Sequence, residues 1–136
     1  MSGGENARLV GSWGEALVAE YLRQQGYRLL ATGYRCRMGE IDLIGVRDGV
    51  LAFVEVKTRQ DGRFGQGREF VDRRKQERML ATAQQYLMEH PGDELQPRFD
   101  VAEVLAPEGT ATRNPEISYL EHAFEAGGWN DAYTTF

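Results

Sequence analysis

The chain has 136 residues, 41% hydrophobic and 27% charged, enough for one soluble domain with a sizeable core and too short for two. No apolar run approaches the ~20 residues of a membrane span, and "MSGGENARLVGSWGE" lacks the basic-then-apolar order of a signal peptide, so none is expected. The net charge of −5 taken alone argues against a nucleic-acid binder, and Cys36, the only cysteine, excludes an internal disulfide and a thiolate zinc cluster and suits a reducing cytoplasm.

Taken in chain order, residues 1–9 read as a flexible terminus, and a single domain is expected over 10–125 with a tail at 126–136. A helix is predicted from about Ser12, its candidate N-cap, to Gln25, with Gly26 as the stop and Leu17, Val18, Tyr21 and Leu22 as the apolar stripe. "YRLLATGYRCR" reads as a short strand with an irregular exit. "GEIDLIGV" and "GVLAFVEVKTR" read as two strands joined at Asp48-Gly49, a strong hairpin signal. "QDGRFGQGREF" is a glycine-rich loop. A second helix is predicted from about Val71 to His90, with Met79, Leu80, Ala83, Tyr86 and Leu87 on one side, ending before Pro91-Gly92. "RFDVAEVLA" and "EISYLEHAF" close the series as strands, the first expected to run parallel to "VEVK" through a right-handed crossover. The result is an α/β domain with a mixed sheet and helices on its faces.

Charge follows this order too. Residues 57–78 hold eight Lys and Arg against four acids, whereas 79–136 hold ten acids against two Arg. A local basic surface can bind phosphate on a molecule that is acidic overall, and solvated helix and loop faces explain such clusters equally well.

The hairpin carries the chemistry. If Asp48 and Gly49 are its two loop residues, Arg47 pairs with Val50, Asp42 falls opposite Glu55, and Glu40 falls opposite Lys57. Asp42, Glu40, Phe53, Glu55 and Lys57 then share one face, with opposed Cβ atoms ~5 Å apart. Two opposed carboxylates repel, and the arrangement makes sense if a cation sits between them. Oxygen-only ligands point to Mg2+ or Mn2+ rather than zinc, and magnesium favours phosphate oxygens, so a phosphodiester is the natural substrate. The competing explanation is a cross-strand Glu40–Lys57 ion pair with Asp42 facing solvent. Glu15, on the apolar side of the first helix beside Gly11 and Gly14, is either a third carboxylate facing the sheet or a helix-dipole charge.

At this point the residues resemble a known group. "GEIDLI" followed by "FVEVKTR" looks like the PD-(D/E)xK nuclease core. With "GSWGEALVAEYL", "RFDVAEV" and "HAF", the chain resembles, from Val10 to Phe124, the bacterial YraN family of nuclease-like proteins, with archaeal Holliday-junction resolvases more distant in fold. Ile41 precedes the first acid and the motif has no proline, and Gly33 stands where that family is expected to carry Asn. The resemblance implies a restriction-endonuclease-like αβββαβ core and Mg2+- or Mn2+-dependent phosphodiester hydrolysis. Asp42, Glu55, the Val56 carbonyl and Glu15 would be metal ligands, Lys57 would position the attacking water, and Glu40 would support the ligands from behind. Arg63, Arg68, Arg73, Arg74 and Lys75 could form a phosphate-tracking surface, although Lys75 also suits a solvated helix flank. His90 and His122 have no metal-ligand spacing, and Trp13, Tyr21 and Tyr86 suit core packing; all are assigned structural roles.

The leading expectation is therefore a metal-dependent nuclease on branched or structured DNA, rather than RNA, with no membrane partner and with homodimerisation left open. The alternative is a non-catalytic DNA-associated adaptor that keeps the fold.

Overall fold

The computed structural model describes residues 3–60, 72–91 and 94–124. Their order is α1 (Gly3–Gln24), β1 (Arg28–Cys36), β2 (Gly39–Arg47), β3 (Val50–Arg59), α2 (Arg73–Glu89), β4 (Gln96–Leu105), a 3-10 turn (Gly109–Ala111) and β5 (Glu116–Leu120). The five strands form one mixed sheet in the order β1-β2-β3-β4-β5. β3 and β4 run parallel, as the crossover predicts, and the other three pairings are antiparallel.

The hairpin between β2 and β3 is the tight one expected. Asp48 (φ 50°) and Gly49 (φ 78°) both take positive φ, as a two-residue turn matching the strand twist requires. Its pairs run from Arg47–Val50 to Leu43–Val54. β3 is buried on both faces. Leu51 and Phe53 join the α2-side core with Ile44, Met79, Ala83, Tyr86 and Phe99; Ala52 and Val54 join the α1-side core with Val18, Leu22, Leu43 and Val104. That alternation explains why its apolar run is nearly continuous. Aromatic rings stitch the α2 side: Phe53 stacks on Phe99 at 5.4 Å and meets Tyr86 edge-on at 6.0 Å. Such pairs contribute about 0.5–1.5 kcal/mol each beyond their buried area.

The structure refines the expected elements at three points, of which only the start of α1 overturns an expectation. First, α1 begins at Gly3, so Ser12 lies inside the helix rather than capping it, and the helix takes in residues read as a loose terminus. Glycines at 3, 4, 11 and 14 weaken intrinsic helix preference there. Second, α2 is capped by Asp72, whose Oδ1 accepts the Lys75 amide at 2.9 Å, and it ends at Glu89 with His90 as C-cap. Third, β1 carries a bulge between Leu29 and Ala31 that shifts its register against β2. The glycine-rich loop, Asp61–Phe70, lies outside the described residues, as do Val71 and the 126–136 tail. Among the described residues, no helix is long and apolar enough to cross a membrane.

The two glycines beside Glu15 on α1 behave differently. A Cβ on Gly14 would sit 1.9 Å from the Thr58 Oγ1 and 3.2 Å from its Cβ, so α1 crosses β3 at a distance only glycine permits. A Cβ on Gly11 would meet nothing within 4 Å. Gly14→Ala should therefore destabilise by about 1–3 kcal/mol, the usual overpacking cost, with part of the loss recovered by adding Thr58→Ala. Gly11→Ala should instead stabilise by about 0.5–1 kcal/mol, the helix-interior difference. Thermal melts of the variants decide it; a Gly14→Ala protein as stable as the parent would rule out the close crossing.

Candidate functional site

At the far end of the hairpin from its turn, the apolar run of β3 gives way to Glu55, Lys57 and Arg59, which alternate on the α2 face. Asp42 on β2 reaches the same face. Its Oδ2 accepts the Val56 amide at 2.8 Å, taking up a β3 donor just past the last regular pair, and its carboxyl is in hydrogen-bonding contact with Glu55. The two carboxylates thus meet as the two-residue turn demands. Glu40, Asp42, Glu55, Lys75, Arg78 and Met79 line a cleft of about 290 Å3 between the sheet and the first turns of α2.

The electrostatics of the cleft are those of crowded charge. Burial, then the hydrogen bond and charge of Glu55, push the Asp42 carboxyl up to about 8, against a smaller opposing effect of the Val56 amide. Burial and the neighbouring Lys75 ammonium hold Lys57 below the ordinary lysine range. Lys75 is pulled down by burial, but its hydrogen bond to Glu55 and the charge of Glu55 outweigh this and raise it. Its Nζ lies 2.6 Å from Glu55 Oε2, with side chains 27% and 10% exposed.

Asp42, Glu55, Lys57 and Lys75 come together. Lys75 is therefore no solvated flank, because it points into the carboxylate pair. The Glu40–Lys57 ion pair weighed from spacing gives way to another: Glu40 Oε2 accepts from Arg35 at 3.2 Å, across the β1–β2 pairing. Nor does Asp42 face solvent. Glu15 does not line the cleft. It lies on α1, on the sheet's other face, in a separate groove with Ser12, Ala16, Ala19, Arg23, Thr32 and Leu43. Its charge still reaches across: burial, then the charges of Glu40 and Glu55, raise its carboxyl. Among the described residues no three His, Cys, Asp or Glu side chains gather to hold a metal.

Arg73 and Arg74 are exposed on the first turn of α2; Arg63 and Arg68 lie outside the described residues. Two further side chains escaped the sequence reading. Arg78 lines the cleft, and its i+3 spacing from Lys75 could have flagged it. Glu103 of β4 stands in register beside Lys57, is buried, and pairs with Arg59 at 3.7 Å; only the parallel pairing brings it there. The two histidines hold structure: His90 stacks on Tyr86 at 4.1 Å, and the His122 amide donates to Asp100.

The raised Asp42 carboxyl has a consequence for stability. Above its ordinary value of 3.8, the unfolded chain gives up this proton while the folded chain retains it up to about pH 8. Stability therefore falls as pH rises through that window. Asp42→Asn can still accept the Val56 amide but cannot ionise. In chelator it should match the parent near pH 4 and exceed it near pH 9, by an amount on the order of a few kcal/mol. Denaturant titrations across that range would expose the error if the two proteins kept the same difference at every pH.

Residues 14–104 match the family described as "Uncharacterised protein family UPF0102". The chain is 44% identical over 120 residues to a UPF0102 protein of Caldanaerobacter subterraneus subsp. tengcongensis, covering 88% of this chain and 97% of that one. It is 41% identical over 120 residues to one from Syntrophotalea carbinolica, covering 88% and 94%. A UPF0102 protein of a Synechococcus strain shares 44% identity over 119 residues, with 85% and 91% covered. With nearly the whole of each relative spanned at these identities, the chain belongs to the UPF0102 family.

Proposed function

We propose that this protein is a divalent-cation-dependent nuclease that hydrolyses phosphodiester bonds in branched or structured DNA, on a restriction-endonuclease-like core. The observation that carries the reading is the Asp42–Glu55 pair, two carboxylates held in contact in a cleft with Lys57 beside them. A purely structural site would not keep two acids in contact at a cost large enough to hold one of them protonated near neutral pH.

The donor set fits Mg2+ or Mn2+. Its oxygens are hard, no thiol or imidazole joins them, and such ions are commonly held by one or two carboxylates with substrate phosphates and waters completing the shell. The third acid of the cleft, Glu40, is paired with Arg35, and no three acids gather to hold a metal among the described residues, which suits that mode better than an all-protein cage. Asp42 and Glu55, with the Val56 carbonyl, would hold the ion, which would supply positive charge to bind and polarise a phosphate oxygen. Lys57 is held toward its neutral form, so it can orient the attacking water and accept its proton. As the water oxygen bonds to phosphorus, the bond to the leaving sugar oxygen breaks. Arg78 lines the cleft and Arg73 and Arg74 stand exposed at the N-terminal end of α2, all suited to phosphate. That first turn carries no acidic residue, so its cations oppose the helix dipole, an arrangement with a use if an anion docks there.

Single-turnover assays on linear, flapped and four-way-junction DNA with Mn2+ or chelator test the proposal. Lys57→Ala should lose about 10²–10⁴-fold in cleavage while keeping cation affinity, and Asp42→Asn should lose both. Affinity for DNA should fall steeply with salt, and charge reversal at Arg73 and Arg74 should weaken it alike for all sequences. A protein that binds these DNAs yet cleaves none with any divalent ion would be the adaptor instead.

A further inference from the structure

The Lys75–Glu55 contact bears on how the site takes up its cation. Glu55 Oε2 is held at 2.6 Å by the Lys75 ammonium in a side-chain environment largely closed to water. A divalent ion bound by both carboxylates needs Glu55 oxygens at about 2.0–2.1 Å, in the cleft that Lys75 helps to line. An ammonium and a divalent ion on the same small carboxylate repel each other strongly where water cannot screen them. The backbone of Lys75 cannot yield, because its amide is fixed to the Asp72 cap at 2.9 Å. Its side chain can, because a lysine stem has four carbons and a single point charge with no fixed fork.

We propose that Lys75 is a built-in competitor for the divalent cation. It neutralises Glu55 against Asp42, and cation binding must displace it. The displaced ammonium stays tethered at the first turn of α2, beside Arg78 and within the same cleft, where a phosphodiester oxygen is the anion left for it to meet. The site thereby exchanges an internal charge for an external one, and the cost of that exchange lowers cation affinity in the absence of substrate. This rests on the cation site proposed above and adds the group that opposes it.

The test uses the full chain without DNA. Mn2+ affinity is measured by calorimetry, and melting temperature with chelator and with saturating Mn2+, for the parent, Lys75→Met, Lys75→Arg and the surface control Arg113→Met, at an exposed arginine outside the cleft. Lys75→Met removes the ammonium but keeps the apolar stem, and should bind Mn2+ about tenfold more tightly, within the usual range of coupling between ligands. Its melting temperature should fall in chelator and recover with Mn2+. Lys75→Arg keeps the charge but grips a carboxylate with two donors, so it should bind Mn2+ more weakly than the parent. Arg113→Met should leave the affinity near that of the parent.

If Lys75→Met binds Mn2+ no more tightly than the parent and melts lower by the same amount with and without the ion, Lys75 is a structural ion pair and the proposal fails while the cation site stands. Equal gains in Lys75→Met and Arg113→Met would reduce the effect to general surface charge and also overturn it. If neither the parent nor Lys75→Met binds Mn2+, both this proposal and the cation site fall. Should Lys75→Met not fold, Lys75→Arg decides alone: an affinity at or above that of the parent overturns the competition.

Discussion

A two-residue turn decides which face of this sheet carries charge. Asp48 and Gly49 both sit at positive φ, and that geometry locks Arg47 against Val50 and every pair behind them through Leu43–Val54. Side chains alternate with a period of two, so a slip of one residue would send Asp42 to the other face and Phe53 out of the α2-side core. The same register therefore fills the core and brings the two acids together. Neither feature can be altered without the other, which is why the carboxylate pair is so rigidly specified.

The second half of the site arrives by a different route. The parallel β3–β4 pairing requires a crossover, and α2 is that crossover. Its axis is set by Met79, Ala83 and Tyr86 packing on Ile44, Phe53 and Phe99, with Met79 also lining the charged cleft. The Asp72 cap then fixes where the helix starts, and so where Lys75 and Arg78 reach the sheet. Packing at one end of the helix positions chemistry at the other. The opposite face is set by Gly14, where α1 crosses β3 against Thr58, whose buried Oγ1 has no hydrogen-bond partner among the described residues. That crossing brings Glu15 near enough for its charge to be felt by Asp42, through a helix on the far side of the sheet.

What could be read from the sequence was what is local. The hairpin, the strand alternation, the apolar stripe of α2 and the parallel β4 all follow from patterns a few residues long. So does the Asp42–Glu55 contact, because a two-residue turn converts sequence separation into cross-strand distance. The start of α1 was hidden because its glycines suppress the local helix signal. Glu40 could not be assigned its partner without knowing the β1 register, which the bulge at Leu29–Ala31 shifts. Lys75 was named only as a candidate phosphate contact; its pairing with Glu55, like the place of Glu103, was beyond reach because each meets the site only through the crossover, and no local pattern records which turn of a helix lands beside which strand residue.

The protein also contains a second buried ionic centre, and the contrast is instructive. On the α1 face, Asp100 is wholly buried, yet it accepts from Arg98 Nε at 2.9 Å, from the Tyr119 hydroxyl at 2.6 Å and from the His122 amide at 3.2 Å. Arg98 in turn donates to the Tyr27 hydroxyl, and Arg47 stacks over that ring at 4.5 Å. Every charge there faces an opposite charge or a donor, and the cluster ties the start of β1 and the end of β5 to β4. It resembles a structural solution, in which desolvation is offset by complete hydrogen bonding. The Asp42–Glu55 pair is built the other way. Like charges face each other, one of them is pushed toward protonation, and the nearest relief is a single flexible lysine. One fold thus offsets buried charge fully at one site and leaves it unbalanced at the other, and violations of that kind are expected where a protein does its chemistry rather than where it packs.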